Sequence, residues 1–378
     1  MNNKQALGIY VHIPFCEKKC DYCDFLSGPA NNKTKDNYVQ AMLSEIKSYK
    51  ELMQEYLVKT IFIGGGTPSS IQAEDIAKIL ETIKKNFFVE AEELTIEVNP
   101  CSITKDKLLT YKESGVNRLS IGLQSINNEE LKLLGRVHTY QEFLENYKLA
   151  RSIGYNNINI DLISGLPDQS IKEWENTLRK VTNLKPEHIS AYSLIIEEGT
   201  PLYNMYYQRN LDEENDRLIY RKTKKILQAK GYIRYEISNY AKKGYESKHN
   251  ISYWKRIPYL GIGLGSSSLI QDTRFRNEQD ISKYIENSKN HNLLWQDIKK
   301  LSKKEAMEEF LFLGFRITEG IKKSQFKEEF DVGIEEVFGN VIEQSIKEGV
   351  IGENTDKIFL TEYGLDVSNY VLARFLLD

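Results

Sequence analysis

Long apolar runs are missing from this sequence of 378 residues. No stretch comes near the about 18 apolar residues that a membrane-spanning helix needs. The first eight residues, Met1 to Gly8, lack the charged and apolar segments of a secretory signal. Charged residues make up 28% of the chain and the mean hydropathy is −0.49, as in ordinary soluble proteins. We therefore expect a cytoplasmic protein without a transmembrane segment, and leave open a peripheral contact with a membrane.

Cysteine is also scarce, with four residues in the whole chain. Clustered free thiols in a reducing compartment favour metal binding over disulfides. Three of the four, Cys16, Cys20 and Cys23, lie within eight residues in a C-x3-C-x2-C pattern. Cys101 is far from them in sequence, and we predict that it is a small core residue.

The clustered cysteines directly follow an apolar run, Leu7 to Ile13, that predicts a buried strand. Four-iron clusters are usually held by four thiolates, so three would leave one iron open to another ligand. Two alternatives are a zinc site completed by His12 and ordinary buried thiols. Structural zinc normally has four Cys or His ligands, and His12 lies on the predicted strand at an awkward offset. The ligand count favours the iron–sulfur cluster.

Strand and helix patterns alternate from the cysteines to about residue 195. Such βα repeats imply parallel strands with right-handed crossovers, and six units predict an incomplete barrel, open on one side, in an α/β protein. The predicted strands are Leu7–Ile13, Thr60–Ile63, Leu94–Val98, Arg118–Gly122, Asn157–Ile163 and His188–Ile195. The predicted helices are Lys35–Glu55, Ala73–Asn86, Thr104–Glu113, Tyr140–Ser152 and Ile171–Asn183.

Polar residues and glycines follow several of these strands. A glycine turn, Gly64 to Gly66, comes after the second strand, where it allows a ligand to approach the backbone. Glu97, Gln124 and Asp161 lie at the ends of the third to fifth strands. Since the carboxyl ends of barrel strands carry the chemistry in folds of this type, these residues are expected at one site.

From about Leu301 the pattern changes to three helices and a hairpin, which predicts a winged-helix-like domain. We divide the chain into residues 1–300, the barrel with its extension, and residues 301–378. The second part holds 9 Lys and Arg against 16 Asp and Glu, a net charge of −7. A DNA-binding domain needs a basic face, so we expect no nucleic-acid partner. This domain is expected to cover the open side of the barrel or to bind a protein.

The cysteine spacing resembles that of the radical S-adenosylmethionine (SAM) enzymes. Several segments narrow the resemblance to the oxygen-independent coproporphyrinogen III oxidase family and cover more than half of the chain. They are Tyr-Val-His-Ile-Pro-Phe-Cys, Phe-Ile-Gly-Gly-Gly-Thr-Pro-Ser, Glu-Val-Asn-Pro, Arg-Leu-Ser-Ile-Gly-Leu-Gln-Ser, Leu-Gly-Arg-Val-His and Asp-Leu-Ile-Ser-Gly-Leu-Pro. The resemblance implies a [4Fe-4S] cluster on Cys16, Cys20 and Cys23, with SAM on the open iron.

The same resemblance implies which residues contact SAM. The positions that match are Tyr10, Gly65, Gly66, Thr67, Glu97, Gln124, Arg136 and Asp161. Their chemistry suits these roles, because an arginine can hold a carboxylate in forked geometry and Asp161 or Gln124 can bind ribose hydroxyls or adenine. Without the resemblance, Arg136 would be interpreted as a solvated charge at a helix end, and each strand-end residue as an ordinary turn residue.

Two features differ from the oxidases themselves. Phe25 stands where they have a further cysteine, and nine residues precede Tyr10 where they have a long extension. The sequence His249-Asn250-Ile-Ser-Tyr253-Trp254 instead resembles the H-N-x-x-Y-W motif of the heme chaperones of the HemW branch. That resemblance implies heme binding and heme delivery to respiratory proteins, and leaves enzymatic activity uncertain. The alternative is a coproporphyrinogen III oxidase or another radical SAM enzyme that modifies a tetrapyrrole.

His249 is the residue of this motif that chemistry points to first. Neutral imidazole is a common axial ligand of heme iron, and Tyr and Trp rings offer apolar faces to a macrocycle. The same motif is compatible with a structural corner in which His249 bonds the backbone and Trp254 fills the core. We keep a contribution of His249 to a heme site as a hypothesis. The glycine-rich segment Gly261 to Gly265 is interpreted as backbone packed close to the cofactor site, and the sequence leaves a homodimer open.

Overall fold

The computed structural model describes residues 4–206, 213–289 and 295–377. Six parallel strands form its centre and pair in chain order, so the predicted run of βα units is confirmed. The strands are β1 (Gln5–Ile13), β2 (Tyr56–Gly65), β3 (Val89–Val98), β4 (Arg118–Gln124), β5 (Ile158–Ser164) and β6 (His188–Ser193). Helices of this part are α1 (Asn32–Ser48), α2 (Ala73–Asn86), α3 (Lys105–Glu113), α4 (Asn128–Leu133), α5 (Tyr140–Ile153) and α6 (Ile171–Asn183).

Two of the strands begin earlier than the apolar pattern predicts. β2 begins at Tyr56 and β3 at Val89, four and five residues before the expected starts. Charged residues interrupt the apolar pattern on these extensions, and Lys59 of β2 forms an ion pair with Glu90 of β3 at 3.0 Å. The predicted starts follow continuous apolar runs, and such a run ends where charged residues alternate with apolar ones along a strand.

Further strands extend the sheet at both edges, to twelve in the order β12-β11-β10-β9-β1-β2-β3-β4-β5-β6-β8-β7. The sheet is open, as expected, but this extension was not predicted, because the added strands have two to six residues. The added elements are α7 (Pro201–Tyr206), α8 (Glu213–Ala229), β7 (Ile233–Arg234), β8 (Asn239–Ala241), α9 (Lys248–Trp254), β9 (Tyr259–Ile262), β10 (Ser267–Ile270), β11 (Thr273–Asn277), α10 (Ile281–Lys289) and β12 (Trp295–Lys300).

The C-terminal part is built from helices and a three-stranded antiparallel sheet. Its elements are α11 (Lys303–Gly314), β13 (Ile321–Lys322), α12 (Lys323–Phe330), α13 (Ile334–Lys347), β14 (Ile351–Glu353), β15 (Lys357–Leu360), α14 (Glu362–Asp366) and α15 (Ser368–Leu372). Its buried side chains form a hydrophobic cluster of their own, separate from the cluster of the large sheet. The boundary at residue 300 stays a prediction, and the two cores lie on either side of it.

A cluster of charged side chains joins the two parts. Arg256, which follows α9, has a side chain only 5% exposed, and it pairs with Asp272 at 2.6 Å, Glu309 at 3.0 Å and Glu329 at 2.5 Å. Glu309 also accepts from Arg274 of β11 at 2.6 Å. Since Glu309 and Glu329 belong to α11 and α12, these arginines hold the C-terminal helices against the extension of the sheet. Within the described ranges, no helix is long and apolar enough to cross a membrane.

Candidate functional site

The carboxyl ends of the parallel strands surround a cavity of about 520 Å³, which we call the cluster cavity. The loop after β1 supplies one of its walls, including the thiols of Cys16, Cys20 and Cys23. The other walls come from the ends of β2 to β6, so residues far apart in sequence face one space. This is the edge at which parallel βα folds bind their ligands.

The three thiols are free and partly buried. Thr67 Oγ1 lies 3.5 Å from Cys16 Sγ, and Arg136 Nη1 lies 3.6 Å from Cys20 Sγ. Burial raises the pKa of the Cys23 thiol. Over the part of the chain that the structure describes, no three His, Cys, Asp or Glu residues are close enough to share one metal ion. A four-iron cluster on these three cysteines stays a prediction.

Both ring nitrogens of His12 have hydrogen-bond partners. Its Nε2 lies 3.0 Å from the carbonyl oxygen of Leu26, which can only accept, so this nitrogen carries the proton. Its Nδ1 lies 2.9 Å from the hydroxyl of Tyr10 and therefore accepts. Burial lowers the pKa of His12 and keeps the ring neutral. With both nitrogens occupied, His12 is not placed to complete a zinc site, and it instead ties Tyr10 to the end of the cysteine loop.

The glycine turn after β2 packs against this loop. Gly65 has a φ of +113°, and a Cβ there would lie 2.5 Å from His12 Nδ1. A Cβ on Gly66 would lie 2.8 Å from the carbonyl oxygen of Phe15 and 3.0 Å from Cys16 Sγ. The turn thus needs glycine at both positions, and its backbone forms the cavity wall beside the cysteines.

Two carboxylates face the cluster cavity from neighbouring strands. Removal from solvent, together with the nearby charge of Asp161, raises the pKa of Glu97 to about 8, although the Gly65 N–H donates to it at 3.2 Å. Burial also raises the pKa of Asp161, which accepts from Ser120 Oγ at 2.9 Å and Asn159 Nδ2 at 2.7 Å. Two carboxylates withdrawn from water favour a ligand that carries positive charge, as SAM does on its sulfonium and ammonium groups.

Gln124 and Arg136 complete this side of the site. Gln124 has a φ of +69°, where the pairing of β4 with β5 is irregular, and such strain in a non-glycine residue is typical of functional positions. Arg136 Nη2 donates to the carbonyl oxygen of Gly122 at 2.8 Å, while its buried Nε has no acceptor among the described residues. The orphaned donor suits an anionic ligand group in the cavity.

Most of the predicted site residues come together here. The cluster cavity is lined by all three cysteines and by seven of the eight predicted SAM contacts, namely Gly65, Gly66, Thr67, Glu97, Gln124, Arg136 and Asp161. The eighth, Tyr10, faces a second cavity on the other side of Gly65.

Cys101 is not a core residue, so that prediction is wrong. The chain leaves β3 at the surface in a short 3-10 turn, Pro100–Ser102, and the side chain of Cys101 is exposed. Its Sγ lies 3.8 Å from Glu17 Oε2 in the cysteine loop.

The second cavity, which we call the aromatic cavity, has a volume of about 600 Å³. It shares Phe25, Gly65 and Glu97 with the cluster cavity, so the two are separated by a thin wall. Six aromatic rings line it, those of Tyr10, Phe25, Phe62, Tyr253, Trp254 and Tyr259. Phe62 belongs to the predicted glycine motif and Tyr259 begins the predicted glycine-rich segment, but the rings of Phe25, Phe62 and Tyr259 were not themselves predicted to line a site.

His249 lies in the wall of the aromatic cavity and is 1% exposed. Its Nδ1 lies 2.8 Å from Thr60 Oγ1 and its Nε2 lies 2.9 Å from the Tyr253 hydroxyl. The ring stacks on Phe62 at 5.2 Å between centroids. Burial lowers the pKa of His249 to about 3, so it is neutral. The imidazole therefore holds Tyr253 and Phe62 in place, with both nitrogens already occupied.

The glycine-rich segment closes the same cavity, through Leu264 and Gly265. Behind it lies the buried carboxyl of Glu45, which accepts from the Gly263 N–H at 3.0 Å, from Asn277 Nδ2 at 2.5 Å and from the Tyr284 hydroxyl. Burial raises the pKa of Glu45 to about 7. The glycine-rich segment thus packs against the aromatic cavity, in line with its predicted position near the site.

Two family models and several known proteins match this chain. The family model of the radical SAM superfamily matches residues 10–181, and that of the HemN C-terminal domain matches residues 301–367. The heme chaperone HemW of Bacillus subtilis is 35% identical over 97% of this chain and 98% of its own length. The heme chaperone HemW of Escherichia coli is 34% identical over 98% of each chain.

Among solved structures, the chain is similar to coproporphyrinogen III oxidase (HemN) from Escherichia coli, described as a radical SAM enzyme. The TM-score is 0.84 over 99% of this chain and 90% of that chain, at 24% identity. This likeness confirms the fold class, an α/β radical SAM fold with a helical C-terminal part.

Proposed function

Because the chain belongs to the HemW family of heme chaperones within the radical SAM superfamily, we propose that it carries heme in the aromatic cavity beside a cluster cavity that holds a [4Fe-4S] cluster and SAM. The observation that carries this proposal is the pair of cavities that share Gly65 and Glu97. One is lined by thiols and carboxylates, and the other by six aromatic rings. Each lining matches the chemistry of a different ligand.

In the cluster cavity, Cys16, Cys20 and Cys23 would hold the cluster and leave one iron for SAM. When bound, the cluster and SAM can supply a 5′-deoxyadenosyl radical. The residues of the chain would bind and orient SAM. The glycine turn would hold its amino group, Glu97 and Asp161 would bind its positive charge and hydroxyls, and Arg136 and Gln124 complete the wall of the cavity. Thr67 lies beside Cys16 at the turn.

In the aromatic cavity, the flat apolar rings offer faces on which a porphyrin can stack. His249 contributes by orienting Tyr253 and supporting Phe62 and not by binding iron, because its two nitrogens already have hydrogen-bond partners. Tyr10 faces this cavity and is bonded to His12, which also lines it.

Delivery requires a recipient, and the proposed recipients are respiratory heme proteins, reached from a cytoplasmic location. The acidic C-terminal part would serve as a cover of the aromatic cavity, since Leu313 of α11 lines it. A homodimer and a peripheral membrane contact remain part of this proposal.

The test is a titration of the cluster-reconstituted chain with hemin, followed by the Soret band, in the wild type and His249→Ala. We expect stoichiometric binding to the wild type. His249→Ala should weaken binding about tenfold with an unchanged Soret maximum, because a support is lost and not an iron ligand. His188→Ala, which removes another fully buried histidine that does not line the aromatic cavity, is the matched control. Unchanged affinity and spectrum in His249→Ala would remove His249 from the heme site.

The cluster-reconstituted chain can also be used to distinguish a heme carrier from an oxidase. Incubated anaerobically with SAM, a strong reductant and coproporphyrinogen III, the chain should form no protoporphyrinogen while its cluster spectrum stays intact. Conversion at a rate comparable to that of a known oxidase would overturn the chaperone proposal and make the chain an oxidase despite Phe25.

A further inference from the structure

The aromatic cavity has one basic side chain among its described lining residues, Arg274 of β11. Its two histidines, His12 and His249, are buried, hydrogen-bonded and held neutral by lowered pKa values. Any anionic group on a ligand in this cavity therefore meets a single cation. Arg274 is 33% exposed and so lies at the rim, where a ligand with an apolar body would place its charged groups.

The guanidinium of Arg274 is already held in position. Nε pairs with Glu309 Oε2 at 2.6 Å, and Nη1 donates to the Tyr259 hydroxyl at 3.0 Å. Nη2 has no acceptor among the residues that the structure describes. An arginine fixed through two nitrogens presents its remaining donor at little cost in side-chain entropy.

From this arrangement we infer that Arg274 is the residue of the aromatic cavity that binds a carboxylate of the ligand. The inference rests on the proposed function, in which the ligand is a tetrapyrrole with carboxylate side chains. Tyr253 and Tyr259, whose rings meet edge to face at 4.6 Å, support the macrocycle beside it. The carboxylate would take the Nη2 donor and compete with Glu309 for the same guanidinium.

This competition links the ligand to the C-terminal part. Glu309 belongs to α11, the helix whose Leu313 forms part of the cavity wall. Arg256 also holds Glu309, so loss of the Arg274 contact would weaken one of two bonds to that carboxylate. A bound carboxylate thereby loosens the contact of α11 at the rim without releasing it.

The experiment compares hemin with hemin dimethyl ester, in which the same macrocycle lacks the carboxylates. Both are titrated into the cluster-reconstituted wild type, Arg274→Gln and the control Arg276→Gln. Arg276 lies two residues along the same strand and pairs with Asp297 outside the cavity lining. We expect the wild type and Arg276→Gln to prefer hemin about tenfold or more, the value of one charge-assisted hydrogen bond. Arg274→Gln should bind both compounds alike.

A second variant distinguishes loss of a ligand contact from a folding defect. Glu309→Gln leaves Arg274 in place and removes its competitor, so it should raise the preference for hemin, whereas a purely structural role of the pair would lower affinity for both compounds. SAM also has a carboxylate, and an unchanged SAM affinity in Arg274→Gln would assign the effect to the tetrapyrrole.

The possible outcomes are separable. Retention of the tenfold preference in Arg274→Gln overturns this inference and leaves the proposed function intact. A wild type that binds neither compound overturns the proposed function and this inference with it. A weaker SAM affinity in Arg274→Gln, with hemin binding unchanged, would instead assign Arg274 to the cofactor and also overturn the inference.

Discussion

The cluster cavity and the aromatic cavity share a wall but are assembled in different ways. The cluster cavity takes its ligand-binding groups from short motifs at the ends of consecutive strands, and the parallel βα repeat brings those motifs together. The aromatic cavity combines β1 and β2 with α9, the added strands β9 to β11 and one residue of α11. A site built from motifs is visible in sequence, whereas a site built by packing is visible only in three dimensions.

The largest expected effect tests whether the two cavities act separately. Cys20→Ser should abolish the cluster absorbance near about 400 nm and with it SAM binding, because three thiolates are needed to hold the cluster. Hemin affinity should stay within about twofold of the wild type. Absorbance, iron content and hemin titration measure the three properties.

Cys101→Ser is the matched control for Cys20→Ser, because it removes the exposed thiol beside the cysteine loop. It should keep the full cluster. A parallel loss of hemin binding in Cys20→Ser would show that the cavities are not independent.

A substitution in the wall that the two cavities share should affect ligand binding in both. Gly65→Ala places a Cβ against the ring of His12 in a backbone region that disfavours alanine. We expect SAM and hemin affinities each to fall about tenfold, in line with strain of about 1–3 kcal/mol. Gly28→Ala, where a Cβ meets nothing within 4 Å, is the control. An effect of Gly65→Ala on one ligand alone would contradict the common wall.

Arg256→Met should affect the aromatic cavity and spare the other. The variant leaves carboxylates of α11 and α12 without their buried partner, and we expect a loss of about 2–3 kcal/mol in the free energy of unfolding. Hemin should bind more weakly, while cluster and SAM binding persist. Urea unfolding measures the change in stability, and calorimetric titration measures the affinities for hemin and SAM.

Arg276→Met, which removes a half-exposed pair, should cost less than about 1 kcal/mol. Equal losses of unfolding free energy in Arg256→Met and Arg276→Met would mean that burial of the Arg256 ion pairs adds nothing to stability.

The last comparison concerns Glu45 behind the aromatic cavity. Burial raises its pKa to about 7 in the folded chain, so the native state keeps a proton that the unfolded chain loses nearer pH 4.5. The contribution of this group is therefore greatest below pH 4.5 and is lost as the pH rises through 7, by at most about 1.4 kcal/mol per pH unit.

Urea unfolding at pH 5 and pH 7 measures this dependence. The fall in stability between the two pH values should be larger in the wild type than in Glu45→Gln. Exposed Glu51→Gln should behave as the wild type. The same fall in all three proteins would remove Glu45 as its source.

Much of the fold followed from the sequence because its periodicity is local. The helices Ala73–Asn86 and Ile171–Asn183 have the predicted bounds, since one face of each is apolar and buried. The short strands around Gly261 were missed, because strands of four or five residues have too few positions to display a period.

The candidate site likewise contains residues that the sequence predicts and residues that it does not. The spacing of Cys16, Cys20 and Cys23 predicts cluster ligands, the resemblance predicts their neighbours as SAM contacts, and the structure brings the three cysteines to one cavity. Arg274 and Glu309 could not be predicted, because neither residue has a local motif and their meeting depends on how α11 packs against β11. His249 was identified by motif, yet its two hydrogen bonds could not be foreseen from sequence.

The position of Leu313 has a consequence for the newly synthesised chain. Every residue that lines the cluster cavity lies at or before Glu197, whereas the aromatic cavity is not complete until Leu313 has emerged. Synthesis proceeds from the N-terminus, and at ribosomal speed this interval lasts on the order of ten seconds. A nascent chain therefore exposes all its predicted cluster ligands well before its aromatic cavity can enclose a ligand.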